Sequence, residues 1–369
     1  MEVNPRLSSA PSPYIYFYAN AKYSPSGSGP FRRGIMIRLR HLKMASRFVA
    51  HCFRELHPFE VEANLLNSCN LRCVYCRCTE IKMKPMTTEQ WRAVIHRLGT
   101  LGTIRFKFFG GEPTLRPDFQ ELTSEVRRAG IIAAATTNGQ IIPSRPELLD
   151  YLDELIVSLD SSNPESNDRL RGEGSYRRAV QTIELSLQRG IRTFVNMVLT
   201  RENLSDLEEM LEFCESKGVL MNAQPVAFGR GRYRSENQAY ALTSEQIRTL
   251  HLNLARWKRQ GRGLMFSAKS YQKVAEWPDH TILSVRSPGE SPCVAGKDFI
   301  YIDANGDVIP CCQYESDFTP KNIVREGLDE ALRHVRRHDC GKCWRVFYNE
   351  RLAVFRLKPY ALREVFRRS

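Results

Sequence analysis

Two kinds of hydrophobic pattern alternate along the middle of the chain. Short apolar runs predict buried strands, and between them apolar residues recur every three or four positions, as in amphipathic helices. Six strands are predicted, over residues 59–67, 103–111, 131–139, 154–160, 192–200 and 219–228. Helices are predicted between them, over residues 87–102, 116–130, 146–153, 175–190 and 204–218.

A regular alternation of strands and helices is typical of an α/β fold with a parallel sheet. Six such units are fewer than the eight of a closed barrel. We therefore predict a partial (βα)6 TIM-like barrel. In parallel barrels the chemistry lies at the C-terminal ends of the strands, so the segments that follow the strands form the candidate site.

The segments outside this repeat divide the rest of the chain. Residues 1–33 are rich in Pro, Ser, Gly and Tyr and are predicted to be disordered. Residues 34–58 and 350–369 are predicted as basic amphipathic helices. The barrel domain is predicted over residues 59–280, and a smaller cysteine-containing domain over residues 281–349.

The composition is that of an ordinary globular protein, with 42% hydrophobic and 26% charged residues in 369. Eleven cysteines are too few for a disulfide scaffold, no signal peptide opens the chain, and no apolar run approaches the roughly 20 residues that span a bilayer. These features favour a cytoplasmic protein with reduced thiols. The net charge of +13 is concentrated in part at the two basic helices, and it suits nucleic acid, an anionic membrane surface or an acidic protein as a partner.

Small, polar or metal-binding residues cluster where the first four predicted strands end. The three cysteines of CNLRCVYC (69–76) follow the first strand, and GGEPT (110–114) follows the second. TTNG (136–139) ends the third strand, and SLD (158–160) ends the fourth. Because the carboxyl ends of parallel strands meet at one edge of the sheet, we expect these segments to form a single site.

Three clustered cysteines do not suit a structural zinc site, which normally takes four ligands. Thiolates also hold iron–sulfur clusters, and three thiolates on a four-iron cluster leave one iron open to another ligand. CxxxCxxC after strand one, an aromatic residue (Tyr75) before the last cysteine, GGEP after strand two and SxD on strand four together resemble the radical S-adenosylmethionine (SAM) superfamily. The resemblance covers roughly residues 59–230.

The resemblance implies a [4Fe–4S] cluster held by Cys69, Cys73 and Cys76, whose open iron binds the amino and carboxylate groups of SAM. An electron from this cluster then cleaves the sulfonium, which gives methionine and a 5′-deoxyadenosyl radical that abstracts hydrogen from a substrate. The residues that the resemblance assigns to SAM are Gly110, Gly111, Glu112 and Pro113 near the methionine amino group, Tyr75 beside the adenine, and Ser158, Asp160 and Asn196 toward the ribose.

Several nearby polar residues have two interpretations. Cys78 has no place in the three-cysteine pattern and is predicted to be a spare thiol. Asn138 either only turns the chain before Gly139 or belongs to the site. Asn222 and Gln224 share one face of strand six, where they either line a substrate pocket or fill the barrel.

A second group of cysteines surrounds a predicted hairpin. FIYIDANGDVIP (299–310) reads as two strands around an Asn-Gly turn. Cys293 precedes it, Cys311 follows it, and CGKCW adds Cys340 and Cys343. Four thiols suit either a closed zinc site or an iron–sulfur cluster.

The spacing of this second group resembles the SPASM/twitch extension of the same superfamily. Because no cysteine follows Cys343, the shorter twitch form is expected, with one auxiliary [4Fe–4S] cluster that takes part in electron transfer. Structural zinc is the alternative. Cys312 can replace Cys311 as a ligand, but the Gly-x4-Cys spacing after Gly306 favours Cys311.

The substrate is the feature that the sequence defines least. Similar enzymes modify ribosomal peptides, carbohydrates or nucleotide-derived cofactors, and peptide modifiers often carry a winged-helix module for a leader peptide. The roughly 58 residues before the barrel leave little room for such a module, which favours a small metabolite. Peptide and lipid-linked substrates stay open as alternatives.

Two other functions are considered as alternatives, and the basic ends of the chain suggest several partners. An RNA-modifying enzyme is disfavoured because the sequence shows no added RNA-binding fold, so nucleic acid is not expected as a partner. A non-catalytic iron–sulfur electron carrier is disfavoured because the cysteines and GGEP are intact. The basic helices suit docking of an acidic flavodoxin or ferredoxin, the usual electron donors of similar enzymes, and contact with a membrane surface is the alternative.

Overall fold

The computed structural model describes residues 58–227, 235–285, 293–312, 318–339 and 341–368. The segment predicted to be disordered and residues 34–57 of the first basic helix lie outside these ranges, and so does Cys340.

Six parallel strands form the wall of a partial barrel, and each strand pairs with the next one along the chain, as predicted. They are β1 (Glu60–Asn64), β2 (Arg105–Phe109), β3 (Ile132–Thr137), β4 (Glu154–Ser158), β5 (Arg192–Leu199) and β6 (Leu220–Pro225). Alternate residues face opposite sides of this sheet. Phe106 and Phe108 of β2 pack outward against Trp91 and Phe119, while Lys107 between them faces the barrel interior and pairs with Glu62.

Helices cover the outer face of the barrel and complete the smaller domain. They are α1 (Thr88–Leu101), α2 (Phe119–Arg128), α3 (Pro164–Arg171), α4 (Ser175–Gln188), α5 (Leu207–Ser216), α6 (Ser244–Arg259), α7 (Ala268–Ala275), α8 (Ile323–Glu326), α9 (Leu328–Arg336), α10 (Val346–Phe355) and α11 (Pro359–Arg368). In the first of them, Thr87 and Gln90 form a capping box, and Gly102 ends the helix with a φ of +91°.

Two helix predictions are corrected, and one helix of the barrel was missed. The helix expected over residues 146–153 is only a 3-10 turn, Pro146–Leu149, because the chain must already enter β4 at Glu154. Helix α3, which follows the polar segment after β4, was not predicted. The basic helix expected over residues 350–369 is broken between α10 and α11, where Leu357 has a φ of +54° and Pro359 lacks the N–H that a continuous helix needs.

The smaller domain continues the barrel sheet. Its strands are β8 (Phe299–Ile302), β9 (Asp307–Ile309) and β10 (Lys321–Asn322), and a separate ribbon joins β7 (Ser284–Val285) to β11 (Lys342–Cys343). The first two of these three strands form the predicted hairpin, and β8 pairs in parallel with β1, so one sheet of nine strands runs through both domains. The pairing of β8 with β1 was not predicted from the sequence.

The two domains also share a hydrophobic core and a buried ion-pair group. One apolar cluster includes Trp91 of α1 and Leu332 of α9. Arg351 of α10 pairs with Glu60 and Glu62 of β1. Among the residues described by the structure, no helix is long and apolar enough to cross a membrane.

Candidate functional site

The cysteine loop that follows β1 is hydrogen-bonded to the turn that follows β2. The Gly111 N–H donates to the carbonyl oxygen of Leu66 at 2.7 Å, and the Glu112 N–H donates to that of Ser68 at 2.9 Å. The two segments therefore meet at the C-terminal edge of the barrel, as predicted from the ends of the strands.

Two glycines make this close approach possible. Gly110 has a φ of +144°, which disfavours any side chain. A Cβ atom on Gly111 would lie 2.7 Å from the carbonyl oxygen of Asn67, and closer still to that of Ser68. The resemblance places these glycines near the methionine amino group; their described neighbours are Asn64 at the end of β1 and the cysteine loop.

The three predicted cluster cysteines lie together on this loop. Cys69 and Cys73 are half-buried, and Cys76 is exposed. The sulfur of Cys69 accepts hydrogen bonds at 3.5 Å from the Leu71 N–H and from the side-chain amide of Asn138. Burial raises the pKa of the Cys73 thiol to about 11.

Cys78 lies with this group instead of apart from it. Its thiol hydrogen-bonds to those of Cys69 and Cys76, and the bond from Cys78 lowers the pKa of Cys69. Cys78 thus lies beside two of the three predicted ligands. That it is a spare thiol stays a prediction.

Glu112 of the GGEP segment is fully buried and organises the ends of two strands. Its Oε1 atom accepts hydrogen bonds from the hydroxyls of Thr114 at 2.5 Å and Thr137 at 2.8 Å, and its Oε2 atom accepts one from the Asn138 N–H at 2.7 Å. Burial raises the pKa of this carboxyl group, and the hydrogen-bond donors oppose the increase. The next residue, Pro113, begins a 3-10 turn. An Oε2 atom with one donor retains acceptor capacity for a cationic amino group.

Asn138 bridges the cysteine loop and the end of β3, so it is more than a turn residue. Its side-chain amide donates to Asn70 Oδ1 at 2.8 Å and lies 3.5 Å from the sulfur of Cys69. Hydrogen bonds to ligand sulfurs are among the features that set the reduction potential of an iron–sulfur cluster, because they stabilise negative charge on the sulfur.

We expect Asn138→Ala to make the reduction potential of a cluster bound at Cys69 more negative. The alanine keeps the backbone N–H that binds Glu112 but loses the amide that contacts the sulfur. The measurement is a redox titration followed by electron paramagnetic resonance, with Asn253→Ala on α6 as the control. Equal potentials in wild type and Asn138→Ala would show that this contact does not tune the cluster.

Tyr75, Asp160 and Arg171 form a second buried group beside the loop. Asp160 lies beyond the end of β4 and is fully buried; its Oδ2 atom accepts hydrogen bonds from the Tyr75 hydroxyl and from Arg171 at 3.1 Å. The Val198 N–H donates to its other oxygen at 2.9 Å. Burial raises the pKa of Tyr75. Tyr75 and Asp160 therefore bind each other, and their assigned contacts with the adenine and ribose stay predictions.

Half-buried polar residues line the interior of the barrel on its last three strands. In the sheet, Asn196 of β5 is flanked by Ser158 of β4 and Asn222 of β6. Its Oδ1 atom accepts hydrogen bonds from Asn222 at 2.7 Å and from Gln224 at 3.2 Å. We call Asn196, Asn222 and Gln224 the amide cluster. The contact of Ser158 and Asn196 with SAM stays a prediction.

Three of the four predicted auxiliary ligands come together in the smaller domain. Cys293, Cys311 and Cys343 pack in one apolar cluster with Phe299 and Tyr348. The fourth, Cys340, lies outside the described residues. Cys312 is also close, because its sulfur lies 3.9 Å from the Tyr348 hydroxyl, so the choice between Cys311 and Cys312 stays a prediction.

The thiol groups suit iron–sulfur clusters better than a single metal ion. Within the described ranges, no three Cys, His, Asp or Glu side chains converge closely enough to hold one ion. A four-iron cluster does not require such convergence, because its thiolates bind different irons. Three thiols on one loop, with N–H donors directed at the sulfur of Cys69, fit the first cluster.

A partial parallel barrel with three thiols at its C-terminal edge, joined to a hairpin with a second thiol group, defines a radical SAM enzyme with an auxiliary iron–sulfur domain. Residues 63–214 match the sequence model of the radical SAM superfamily, and residues 293–351 match the SPASM model, described as an iron–sulfur cluster-binding domain. The chain belongs to the radical SAM superfamily, as predicted. Its cofactors are accordingly a [4Fe–4S] cluster, SAM and an auxiliary iron–sulfur centre.

Several curated proteins are similar over most of the chain. The mycofactocin maturase MftC of Mycolicibacterium smegmatis is 29% identical over 76% of this chain and 70% of its own. The PqqA peptide cyclase of Gluconobacter oxydans is 27% identical over 69% and 70%, and the AdoMet-dependent heme synthase of Methanosarcina barkeri is 26% identical over 69% and 76%.

Solved structures show the same fold. Streptococcus suis SuiB bound to the precursor peptide SuiA superposes with a TM-score of 0.61 at 18% identity, over 86% of this chain and 77% of its own. The small-metabolite substrate expected from the sequence gains no support from the maturases and the peptide cyclase among these proteins.

Proposed function

We propose that this radical SAM enzyme abstracts hydrogen from a peptide. The proposal is supported by similarity to a PqqA peptide cyclase and by the shared fold with SuiB, whose solved structure holds a precursor peptide. It replaces the small metabolite that the sequence favoured, and it leaves the identity of the peptide open.

The observation that carries the proposal is the amide cluster in the barrel. Side-chain amides carry the same donor and acceptor groups as a peptide bond, so they can pair with a peptide backbone in both directions. The Asn222 Oδ1 atom is buried and accepts no hydrogen bond in the described structure. An amide N–H of a substrate would satisfy it, and leaving such an atom unpaired costs about 1–3 kcal/mol.

The barrel also offers a route for an extended chain. Strand β6 is the last strand of the sheet on this side, and the only further pairing described for it is a bridge from Met221 to Leu264 near its start. Asn222 and Gln224 lie beyond this bridge on the edge strand of the sheet, and Arg345 of the smaller domain donates a hydrogen bond to the Pro225 carbonyl at the end of the strand. A peptide that enters from this side reaches the amide cluster directly.

The predicted cofactor ligands complete the proposal. Cys69, Cys73 and Cys76 would hold the first cluster, which when bound supplies the electron that cleaves SAM to methionine and a 5′-deoxyadenosyl radical. Glu112 would accept a hydrogen bond from the methionine amino group, and Ser158 faces the barrel interior where the ribose is expected. The auxiliary cluster would be held by Cys293, Cys311, Cys340 and Cys343.

The first test is formation of 5′-deoxyadenosine by protein reconstituted without oxygen. With SAM and dithionite, wild type is expected to form it, and Cys73→Ala is expected to form less than about one hundredth as much, since one thiolate of the cluster is lost. Formation at the wild-type rate by Cys73→Ala would exclude this loop as the cluster site.

The second test separates a peptide from a small molecule. A low-molecular-mass extract of the cells in which this protein naturally occurs is added to the reconstituted enzyme with SAM and dithionite. The increase in the rate of 5′-deoxyadenosine formation above the rate without extract is measured. Protease treatment of the extract is expected to abolish the increase, and Asn222→Ala is expected to weaken it while the background rate persists. Stimulation that survives the protease would indicate a small-molecule substrate.

A further inference from the structure

The β7–β11 ribbon brings one auxiliary thiol to the surface of the smaller domain. Cys343 on β11 is half-buried, whereas Cys293 and Cys311 are buried, so of these three it lies nearest to solvent. The neighbouring strand and the turn before it expose apolar side chains: Val285 on β7, opposite Lys342, is 38% exposed, and Ile282, which precedes β7, is 50% exposed. An apolar surface thus lies beside a predicted cluster ligand.

Basic side chains gather around Lys273, and one of them, Lys342, lies on the ribbon opposite Val285. They are Lys269 and Lys273 on α7, Lys342 on β11, and Arg356 and Lys358 between α10 and α11. We call them the basic rim. The pKa of Lys273 is lowered first by burial and then by repulsion from the other four, so each of these four charges acts on Lys273. Ser267, which caps the start of α7, donates its hydroxyl to Glu350 of α10 at 2.6 Å, so the start of α7 is joined to α10.

We propose that the basic rim and the two apolar residues form the docking face for an acidic one-electron carrier protein. The proposal rests on the radical SAM function, since such an enzyme exchanges electrons with a reductant, and it does not depend on the peptide substrate. Complementary charge steers association and fixes orientation, while a small apolar centre allows close contact. Exposed Leu357, between two rim residues, adds a second apolar contact.

The face would place the carrier beside Cys343, next to the auxiliary cluster. One electron would pass from the reduced carrier to that cluster, which is reduced by one unit of charge as the carrier is oxidised by one. No proton or group is transferred. Electrons would therefore enter the enzyme through the smaller domain. The sequence suggested the basic helices as the docking region, and the proposal narrows this region to the basic rim and its apolar neighbours.

The test uses reconstituted full-length protein and a bacterial flavodoxin of net negative charge. Lys269→Glu/Lys273→Glu reverses two charges of the rim without touching a cysteine, and Lys358→Glu is a second, independent variant. The matched control is Arg177→Glu/Arg178→Glu on α4, which makes the same change in net charge at another exposed surface. Association of flavodoxin with the enzyme is measured by bio-layer interferometry at low and physiological salt. Reduction of the clusters is followed by stopped-flow absorbance.

Flavodoxin is expected to associate about tenfold more slowly with Lys269→Glu/Lys273→Glu than with wild type at low salt, and the difference should be smaller at physiological salt. Reduction of this variant by flavodoxin should slow in parallel, whereas reduction by dithionite should match wild type. Equal slowing in the α4 control would attribute the effect to net charge and overturn the proposal, as would unchanged association in both. Loss of binding to transfer RNA or anionic vesicles, with flavodoxin binding retained, would assign the face to another partner and also overturn it.

Discussion

Gly111→Ala is expected to yield a folded protein that lacks its first iron–sulfur cluster. The new Cβ atom would overlap the carbonyl oxygens of Asn67 and Ser68, which are backbone atoms of the cysteine loop and cannot rotate away as a side chain can. The loop would have to move, and the hydrogen bond from Gly111 to Leu66 would be strained or lost. Cys69, directly after Ser68, would move with it.

The measurement is the iron and sulfide content after anaerobic reconstitution, which should fall by about four irons per chain while the auxiliary centre is retained. The control is Gly218→Ala. This glycine has a φ of +71°, but a Cβ atom there would meet open space, so the cost is about 1 kcal/mol and the iron content should be unchanged. Full iron content and SAM cleavage in Gly111→Ala would mean that the loop adapts freely.

Arg351→Met is expected to lower the free energy of unfolding by about 3–5 kcal/mol, which is typical when one partner of a buried ion pair is removed. The guanidinium donates to both carboxylate oxygens of Glu60 at 2.8 and 2.7 Å and to Glu62 at 3.2 Å. It also lies 4.2 Å from the ring centroid of Phe299 in β8. Methionine keeps most of the apolar contact but leaves the carboxylates with Arg105 and Lys107 alone.

The same change should make the protein sensitive to mild acid. Burial by itself would raise the pKa of Glu60 and Glu62, but the ion pairs with Arg351, Arg105 and Lys107 outweigh it and hold both pKa values below the usual range. A carboxyl group with a depressed pKa stabilises the fold above its unfolded pKa, and this stability is lost as the pH falls through the folded pKa. Without Arg351 the folded pKa values rise, so acid unfolding should begin at a higher pH.

Urea unfolding followed by circular dichroism, repeated from neutral pH down to about pH 4, measures both effects. The control is Arg97→Met, which removes an arginine from an exposed pair with Asp329 and should cost less than about 1 kcal/mol. A similar, small loss in both variants would show that Arg351 is not needed to neutralise the carboxylates of β1.

The sequence predicted the local features of the site and missed those that depend on distant pairing. The strand ends and the cysteine spacing were readable because hydrophobic periods and short motifs lie within a few residues. Arg171 was missed because it contacts Asp160 only after α3 has folded back, and α3 carries a weak, highly polar pattern. Asn138 was ambiguous, since an Asn-Gly pair signals a turn whether or not its side chain reaches a sulfur.

The assigned contacts with SAM illustrate a different limit. Ser158 and Asp160 are two positions apart in a predicted strand over residues 154–160, a spacing that would put both side chains on one face, but β4 ends at Ser158, and a buried arginine pairs with the Asp160 carboxylate. Spacing fixes a face only while the strand continues. The basic rim was likewise not predicted, because its charges come from three segments, and α7 is far in the chain from the other two.

The pairing of β8 with β1 has a consequence for synthesis on the ribosome. The side chains of Asn64 and Asp303, which donate and accept a buried hydrogen bond of 2.7 Å, are 239 positions apart. Until the hairpin emerges, the barrel carries an uncovered strand edge, which invites pairing with other nascent chains. The smaller domain therefore acts as the cover that ends this exposure, and a chain cut before residue 299 should aggregate even though every strand of the barrel is present.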